Sequence, residues 1–237
     1  MSYAALARGR TDFTAARSAW FLSGVVVLWL ALETPLDVVS DEQLQSAHML
    51  QHVLLAVIAP PMLLLGLSHS MAAAVARVPG VRAITEPVPA QLAAAATMIG
   101  WHIPALYDIT VTNEAVHILE HLTFIGSGLL FWWPVLSATS AQAHWQLGDL
   151  GKLAYLLVGT FPQDGVAIIL QFSRELFYPW YATHRVPGWD PVIDQNVAGT
   201  VLQLVGKTSY LVAAIVLFYR WVSREQEGDA ADLLSFR

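Results

Sequence analysis

Two five-residue segments of the sequence share a pattern that could bind a metal ion. Each begins and ends with histidine and carries a polar residue just before the second one: His48-Met-Leu-Gln-His52 and His117-Ile-Leu-Glu-His121. In a helix, a spacing of four returns a side chain to nearly the same face, so each segment presents two imidazoles side by side. Neutral imidazole is a common ligand for copper, zinc and iron. The repeated pattern therefore predicts a metal site built between two helices.

The composition indicates that these helices lie in a membrane. Of 237 residues, 56% are hydrophobic and 13% are charged, and the mean hydropathy is +0.52. This is too apolar for an ordinary soluble domain and long enough for several membrane spans. The net charge of −6 offers no basic patch, which argues against nucleic acid as a partner. The chain has no cysteine, so thiolate metal sites, disulfides and haem attached through Cys are excluded.

Apolar runs approaching the ~20 residues that cross a hydrocarbon core recur along the chain. They predict six spans, at 18–36, 48–67, 88–102, 115–136, 152–172 and 196–222. We therefore expect an all-α, polytopic integral membrane helical bundle of about six transmembrane helices over 18–222, with a leader at 1–17 and a tail at 223–237. Pro60 and Pro61 lack backbone N–H groups and predict a kink in the second span.

The basic residues predict the orientation, because Lys and Arg near span ends favour the cytoplasmic side. One set of segments holds nine of them: Arg8, Arg10, Arg17, Arg77, Arg82, Lys152, Arg220, Arg224 and Arg237. The other set holds only Arg174 and Arg185. Both termini are therefore expected in the cytoplasm, with the loops 37–47, 103–114 and 173–195 outside, which is the periplasm if the source is a Gram-negative bacterium.

This orientation brings five histidines from three helices to the same outer end, and we predict that they are the metal ligands: His48, His52, His102, His117 and His121. Gln51 and Glu120 are expected to orient imidazole rings through the other ring nitrogen, although Glu120 could also ligate directly. Met49 is expected to point about 100° away on its helix, which makes it a weaker ligand candidate. Asp194 is expected to cap the sixth span, with contact to the metal centre as the alternative.

Two charged residues fall inside predicted spans. Asp164 and Lys207 lie at similar depth, roughly 12 and 16 Å below the outer ends of their helices at ~1.5 Å per residue. An isolated charge near the bilayer centre costs at least ~2.5 kcal/mol. We therefore expect the two side chains to pair, or to face one polar cavity beneath the metal site.

The outer loop 173–195 is rich in aromatic residues, namely Phe177, Tyr178, Trp180, Tyr181 and Trp189. Aromatic residues concentrate at membrane interfaces, so this composition predicts a loop that lies on the membrane surface. The alternative is a lid over the site or a docking surface for a partner.

Several segments between 34 and 220 together resemble a known family. They are the run from His48 to His52 continuing to Ala59-Pro-Pro-Met-Leu-Leu-Leu-Gly66, Trp101-His102-Ile-Pro104 with Tyr107, the run from His117 to His121 leading to Phe131-Trp-Trp-Pro134, Tyr178-Pro-Trp-Tyr181, and Asp194-Gln195 with Gly199. In this order they are similar to the CtaG family of caa-type cytochrome c oxidase assembly factors. Members of that family are usually drawn with about seven spans, whereas the hydropathy here predicts six.

The resemblance implies a non-enzymatic membrane chaperone that helps deliver or insert copper during maturation of a cytochrome c oxidase. It implies a multi-pass protein of the bacterial inner (plasma) membrane, with the lipid bilayer and an oxidase subunit as partners. A periplasmic copper chaperone is a further candidate partner.

Two other classes of function remain open from the residues alone. Membrane di-iron oxidases and hydroxylases use several H-x-x-x-H and H-x-x-H-H clusters, but this chain has no adjacent His-His pair. A haem- or quinone-binding subunit places facing histidines on two helices, whereas here they occur in pairs along each helix, which suits a compact metal better. Metal analysis combined with an absorption spectrum would separate the three classes.

Overall fold

The computed structural model describes residues 12, 14–136 and 146–235, and the regular structure within those ranges is helical. In chain order the helices are α1 (Ala15–Leu32), α2 (Pro35–Glu42), α3 (Gln45–Val53), a π-helical turn (Leu54–Ile58), α4 (Ala59–Leu65), α5 (His69–Ala76), α6 (Val81–Ile84), α7 (Pro87–Trp101), α8 (Pro104–Thr110), α9 (Glu114–Leu136), α10 (Asp149–Phe172), α11 (Trp180–Thr183) and α12 (Pro191–Ser235). The predicted all-α bundle is confirmed. Most of the predicted leader 1–17 lies outside the described residues.

Within the described ranges, five helical segments are long and apolar enough to cross a membrane: Ala15–Leu32, Gln45–Leu65, Glu114–Leu136, Asp149–Phe172 and Pro191–Glu227. The multi-pass prediction is therefore confirmed. The segment predicted as the third span is α7, which has 15 residues. At ~1.5 Å per residue it is about 22 Å long, shorter than a hydrocarbon core of ~30 Å. A sixth span stays a prediction.

The second span changes its helical geometry just before its proline pair. The α-helical turns of α3 pass into the π-helical turn Leu54–Ile58 and return to α-helix at Ala59. Pro60 and Pro61 have no N–H to offer the carbonyls one turn earlier, so the widened turn forms where those bonds are missing. A Cβ on Gly128 of α9 would lie 2.4 Å from the carbonyl oxygen of Ala56. Only glycine therefore lets α9 pack against this turn.

The surface of the bundle is apolar and the polar groups lie inside it. Leu22, Leu122 and Leu204 expose 59%, 61% and 64% of their surface, as expected for side chains that face lipid. His48, Gln51, His52 and Glu120 are fully buried instead. They lie in α3 and in the first two turns of α9, so the polar interior is concentrated at one end of the bundle.

Short helices cover that end where the sequence predicted loops. In the predicted loop 37–47, helix α2 begins with Pro35 after an N-cap at Thr34, whose side chain accepts from the N–H of Leu36. In the predicted loop 103–114, α8 begins with Pro104. Proline is favoured at the first helical position because its missing N–H would have no partner there. These two helices close the polar end of the bundle.

Candidate metal centre

The beginnings of α3 and α9 bring two histidine pairs face to face. Along each helix the rings are adjacent, with centroids 4.3 Å apart for His48 and His52 and 4.1 Å apart for His117 and His121. Between the helices, the His48 and His117 centroids are 5.6 Å apart and those of His52 and His121 are 6.2 Å apart. The spacing of four thus has the geometry that the sequence predicts. The two pairs are brought together because α9 packs against the π-helical turn and α4, which continue α3.

Glu120 lies between the rings of α3. One carboxylate oxygen is 3.8 Å from Nε2 of His48 and the other is 3.4 Å from Nε2 of His52, and all three side chains are fully buried. Three possible ligand atoms lie within 4.8 Å of one another: one nitrogen of His48, one nitrogen of His117 and one oxygen of Glu120. Metal–nitrogen and metal–oxygen bonds are about 2.0–2.2 Å long, so small side-chain shifts would let these three atoms surround one ion. At this position the Glu120 carboxylate is better placed to bind a metal ion directly than to orient an imidazole ring.

His102 approaches the cluster from the end of α7, where it is the C-terminal capping residue. Its Nδ1 lies 2.6 Å from the carbonyl oxygen of Met98. Because a carbonyl can only accept, Nδ1 carries the hydrogen and Nε2 of the neutral ring carries the lone pair. That Nε2 lies 3.2 Å from Sδ of Met49, and the His102 and His52 centroids are 5.6 Å apart.

The sequence made Met49 a weaker ligand candidate because its side chain points about 100° from that of His48, yet in the structure its sulfur contacts an imidazole. The direction of the side chain on α3 was assigned correctly from the helical period. What the period does not show is that the end of α7 packs against that flank and brings His102 to it. A thioether thus joins the imidazoles and the carboxylate.

Gln51 forms hydrogen bonds to neighbouring helices, whereas the sequence predicted that it would orient an imidazole ring. Its Nε2 donates to the carbonyl oxygen of Ala31 at 2.9 Å and to Oδ1 of Asp37 at 2.7 Å. Its Oε1 accepts from the Ser40 hydroxyl at 2.9 Å. The side chain faces α1 and α2, so its amide is used in joining them to α3.

Asp194 also differs from its expected role. The last helix begins three residues earlier, at Pro191, and its first turn is capped by Asp190, which accepts from the N–H of Val192 at 2.8 Å. The Asp194 carboxylate accepts instead from the Ser46 hydroxyl at 2.6 Å and from the Ser46 N–H at 3.3 Å. It therefore satisfies a first-turn donor of α3 and fixes the start of that helix against α12.

Three tyrosines from connecting segments cover the histidines. Tyr107 of α8 stacks on Tyr178 with centroids 3.8 Å apart, and its ring centroid lies 5.2 Å from that of His48. The Tyr178 hydroxyl donates to the carbonyl oxygen of His102 at 2.9 Å, and the hydroxyls of Tyr107 and Tyr181 are 2.9 Å apart. Burial raises the pKa of Tyr107 and of Tyr178 above the ordinary value, so both hydroxyls stay neutral at physiological pH.

The aromatic loop is thus divided between two roles. Tyr178 and Tyr181 are each 1% exposed and lie over the cluster, whereas Trp189 is 45% exposed. The buried part favours the alternative that this loop is a lid, and the exposed part suits the membrane surface. The three covering tyrosines were not predicted as site residues, although Tyr107 and the segment Tyr178-Pro-Trp-Tyr181 belong to the motifs that carry the family resemblance.

The two intramembrane charges pair as predicted. Nζ of Lys207 lies 3.1 Å from Oδ1 of Asp164, which joins α12 to α10. Between this pair and the histidines lies a small internal cavity of about 30 Å³, whose lining includes Gln163, Tyr210 and Phe124. The Phe124 ring, with its centroid 4.2 Å from that of His52, separates this cavity from the cluster.

A multi-pass helical bundle with imidazole, carboxylate and thioether groups buried at one end defines a membrane protein with a candidate metal centre. The chain belongs to the cytochrome c oxidase caa3 assembly factor family (Caa3_CtaG), whose family model matches residues 1–224. The resemblance seen in the sequence is thereby confirmed. Comparisons with curated proteins and with solved structures gave no match.

Proposed function

We propose that the protein carries copper as cargo during oxidase assembly and that the ion binds in the buried cluster. The proposed ligands are drawn from seven neighbouring side chains, namely His48, His52, His102, His117, His121, Glu120 and Met49. The observation that supports this most directly concerns His48 and His52. Both rings are fully buried, and neither ring nitrogen of His52 has a hydrogen-bond partner among the residues that the structure describes.

Ring nitrogens that are buried without a partner cost free energy. A buried polar atom without a partner costs about 1–3 kcal/mol, and the contacts of these rings to Glu120 are longer than ordinary hydrogen bonds. A metal ion would coordinate the ring nitrogens and would place the carboxylate beside a positive charge. The cost therefore supports metal binding as the role of the cluster.

The donor types favour copper over other metals. Nitrogen and oxygen sites bind Cu²⁺ more tightly than the other divalent first-row ions, and a thioether favours Cu⁺. The chain has no cysteine, so the ion is not held by thiolates and can be passed on. A carrier needs this combination of binding and exchange.

Charge balance further favours Cu⁺. The cluster combines neutral imidazoles and a thioether with one carboxylate, Glu120, which is fully buried. With Cu⁺ and an ionised Glu120 the site has no net charge, whereas Cu²⁺ would leave one positive charge in a medium of low dielectric constant. We therefore propose that the cargo is held as Cu⁺.

The geometry gives less support to the two alternatives. The rings of His48 and His52 contact each other, with centroids 4.3 Å apart, and a haem would need space between its axial imidazoles. The single carboxylate in the cluster, Glu120, gives little support for a di-iron centre. We propose a non-enzymatic carrier in the bacterial plasma membrane, with the cluster facing the periplasm, that receives copper from a periplasmic chaperone and delivers it to an oxidase subunit.

Elemental analysis of purified protein loaded with Cu⁺ under anaerobic conditions tests the proposal. His52→Ala and His121→Ala should each lose most of the bound copper, and Glu120→Gln should weaken Cu⁺ binding at least about tenfold. The matched controls are His69→Ala and Glu114→Gln, which change exposed residues of the same types and should leave copper binding unchanged. If both cluster histidine variants retain the wild-type copper content, the proposed site is wrong.

A further inference from the structure

A groove runs along the lipid-facing side of the bundle between α10 and α12. It has a volume of about 640 Å³ and is lined on α10 from Leu153 to Asp164 and on α12 from Leu204 to Ala214. At ~1.5 Å per residue each wall is about 15 Å long, or roughly three helical turns. A groove of this length parallel to two helices has the shape that receives a third helix.

The groove walls are apolar and well exposed. Leu157 and Phe161 of α10 are 63% and 60% exposed, and Leu204 and Leu211 of α12 are 64% and 59% exposed. The small residues Thr160, Thr208 and Ala214 lie among these large ones. Small residues allow helix backbones to approach closely in a membrane, so this surface suits helix packing.

The ion pair of Lys207 and Asp164 lies in the same groove. The Lys207 side chain is 44% exposed, whereas that of Asp164 is 17% exposed, so the ammonium is the more accessible group. An ammonium has three N–H donors, and within the described part of the chain the Lys207 ammonium contacts the carboxylate of Asp164. Donors that face hydrocarbon without an acceptor cost free energy, so this ammonium needs a further partner.

The depth of the pair excludes a lipid headgroup as that partner. Asp164 lies eight residues before Phe172 and fifteen after Asp149, which corresponds to about 12 and 22 Å along α10. A phosphate at either membrane surface lies too far away. The pair is also electrically neutral, so a second ionised carboxylate would leave a net negative charge in the hydrocarbon. The further partner of the Lys207 ammonium should therefore be an uncharged group with an oxygen that accepts a hydrogen bond.

We propose that this groove receives a transmembrane helix of the oxidase subunit that is being assembled, and that this helix offers Lys207 an uncharged acceptor such as Ser, Thr, Asn or Gln. The proposal shares with the proposed function its partner, an oxidase subunit, but it does not depend on copper. The ion pair thereby becomes a recognition site within the membrane, and the leucines and Phe161 supply the apolar contact around it.

Photo-crosslinking in membranes that contain the co-expressed, tagged oxidase subunits tests this docking. A benzophenone amino acid replaces Leu211 in the groove or, as the control, Leu122 on α9, which is similarly exposed at 61%. We expect an adduct with an oxidase subunit from position 211 and none from position 122. Lys207→Met should reduce the adduct at least fivefold, and Lys207→Arg, which keeps the charge and the donors, should retain most of it.

A second variant leaves the ion pair intact. Thr208→Trp, at an exposed position in the groove, should fill it and abolish the adduct while membrane yield stays normal. Three outcomes would overturn the proposal: equal adducts from both positions, an adduct only with a second copy of this chain, or a quinone recovered by solvent extraction from wild-type protein but not from Lys207→Met.

Copper content is measured on the same samples. Loss of the adduct with normal copper supports docking separately from copper binding, and a normal adduct without bound copper refutes only the copper proposal.

Discussion

The thioether of Met49 and the imidazole of His102 are in direct contact, with Sδ 3.2 Å from Nε2. Nδ1 of His102 donates to the carbonyl oxygen of Met98, so Nε2 of the neutral ring is an acceptor, as is the sulfur. Two acceptors this close have lone pairs that face one another. A soft cation bound to both would turn this unfavourable contact into a favourable one.

Met49→Leu should therefore lower the affinity for Cu⁺ about tenfold, equivalent to ~1.4 kcal/mol, and affect Cu²⁺ much less. The physical reason is that leucine keeps the volume but removes the soft donor. Competition with chromophoric chelators for each oxidation state measures both affinities. Met71→Leu is the control, because Met71 is also fully buried but lies on α5. Equal losses for both oxidation states, or no loss, would show that the sulfur is not a ligand.

Tyr178→Ala should accelerate the release of copper to an external chelator at least about tenfold, with little change in the amount bound at saturation. The substitution removes the ring that stacks on Tyr107 and the hydroxyl that donates to His102, which opens the cover without removing a proposed ligand. Tyr178→Phe keeps the ring and should have a smaller effect. Stopped-flow measurement with a chromophoric chelator gives the rates.

Trp189→Ala is the matched control for the cover, because Trp189 belongs to the same connection but is 45% exposed. Its copper release should match that of the wild type. An unchanged release rate in Tyr178→Ala would mean that the tyrosines do not limit access to the cluster.

Gly128→Ala should destabilise the protein by about 1–3 kcal/mol. The added Cβ would lie 2.4 Å from the carbonyl oxygen of Ala56 and 2.8 Å from Cγ of Pro60, so α9 would have to move away from the π-helical turn. Thermal unfolding in detergent measures the change. Gly126→Ala on the same helix is the control, since its Cβ would meet nothing within 4 Å. Equal unfolding temperatures for the two variants would contradict the close packing of Gly128 against Ala56.

The features that depend on short stretches of chain could be predicted from the amino-acid sequence. Hydropathy is summed over neighbouring residues, so the membrane class and most spans follow from it directly. The spacing of four in His48–His52 and His117–His121 translates into adjacent rings because the helical period is a local property. The pairing of Asp164 with Lys207 was also predictable, because a hydrocarbon environment leaves an intramembrane charge few alternatives.

The neighbours that each side of a helix contacts could not be predicted in this way, because they depend on how the helices pack. Met49 contacts His102 because the end of α7 packs there, and Asp194 holds Ser46 across 148 residues of sequence. Tyr178 covers the histidines although it belongs to a distant connection. Each of these contacts depends on how helices far apart in the chain pack and turn about their axes. The helical period gives the direction of a side chain on its own helix, whereas packing alone decides what lies in that direction.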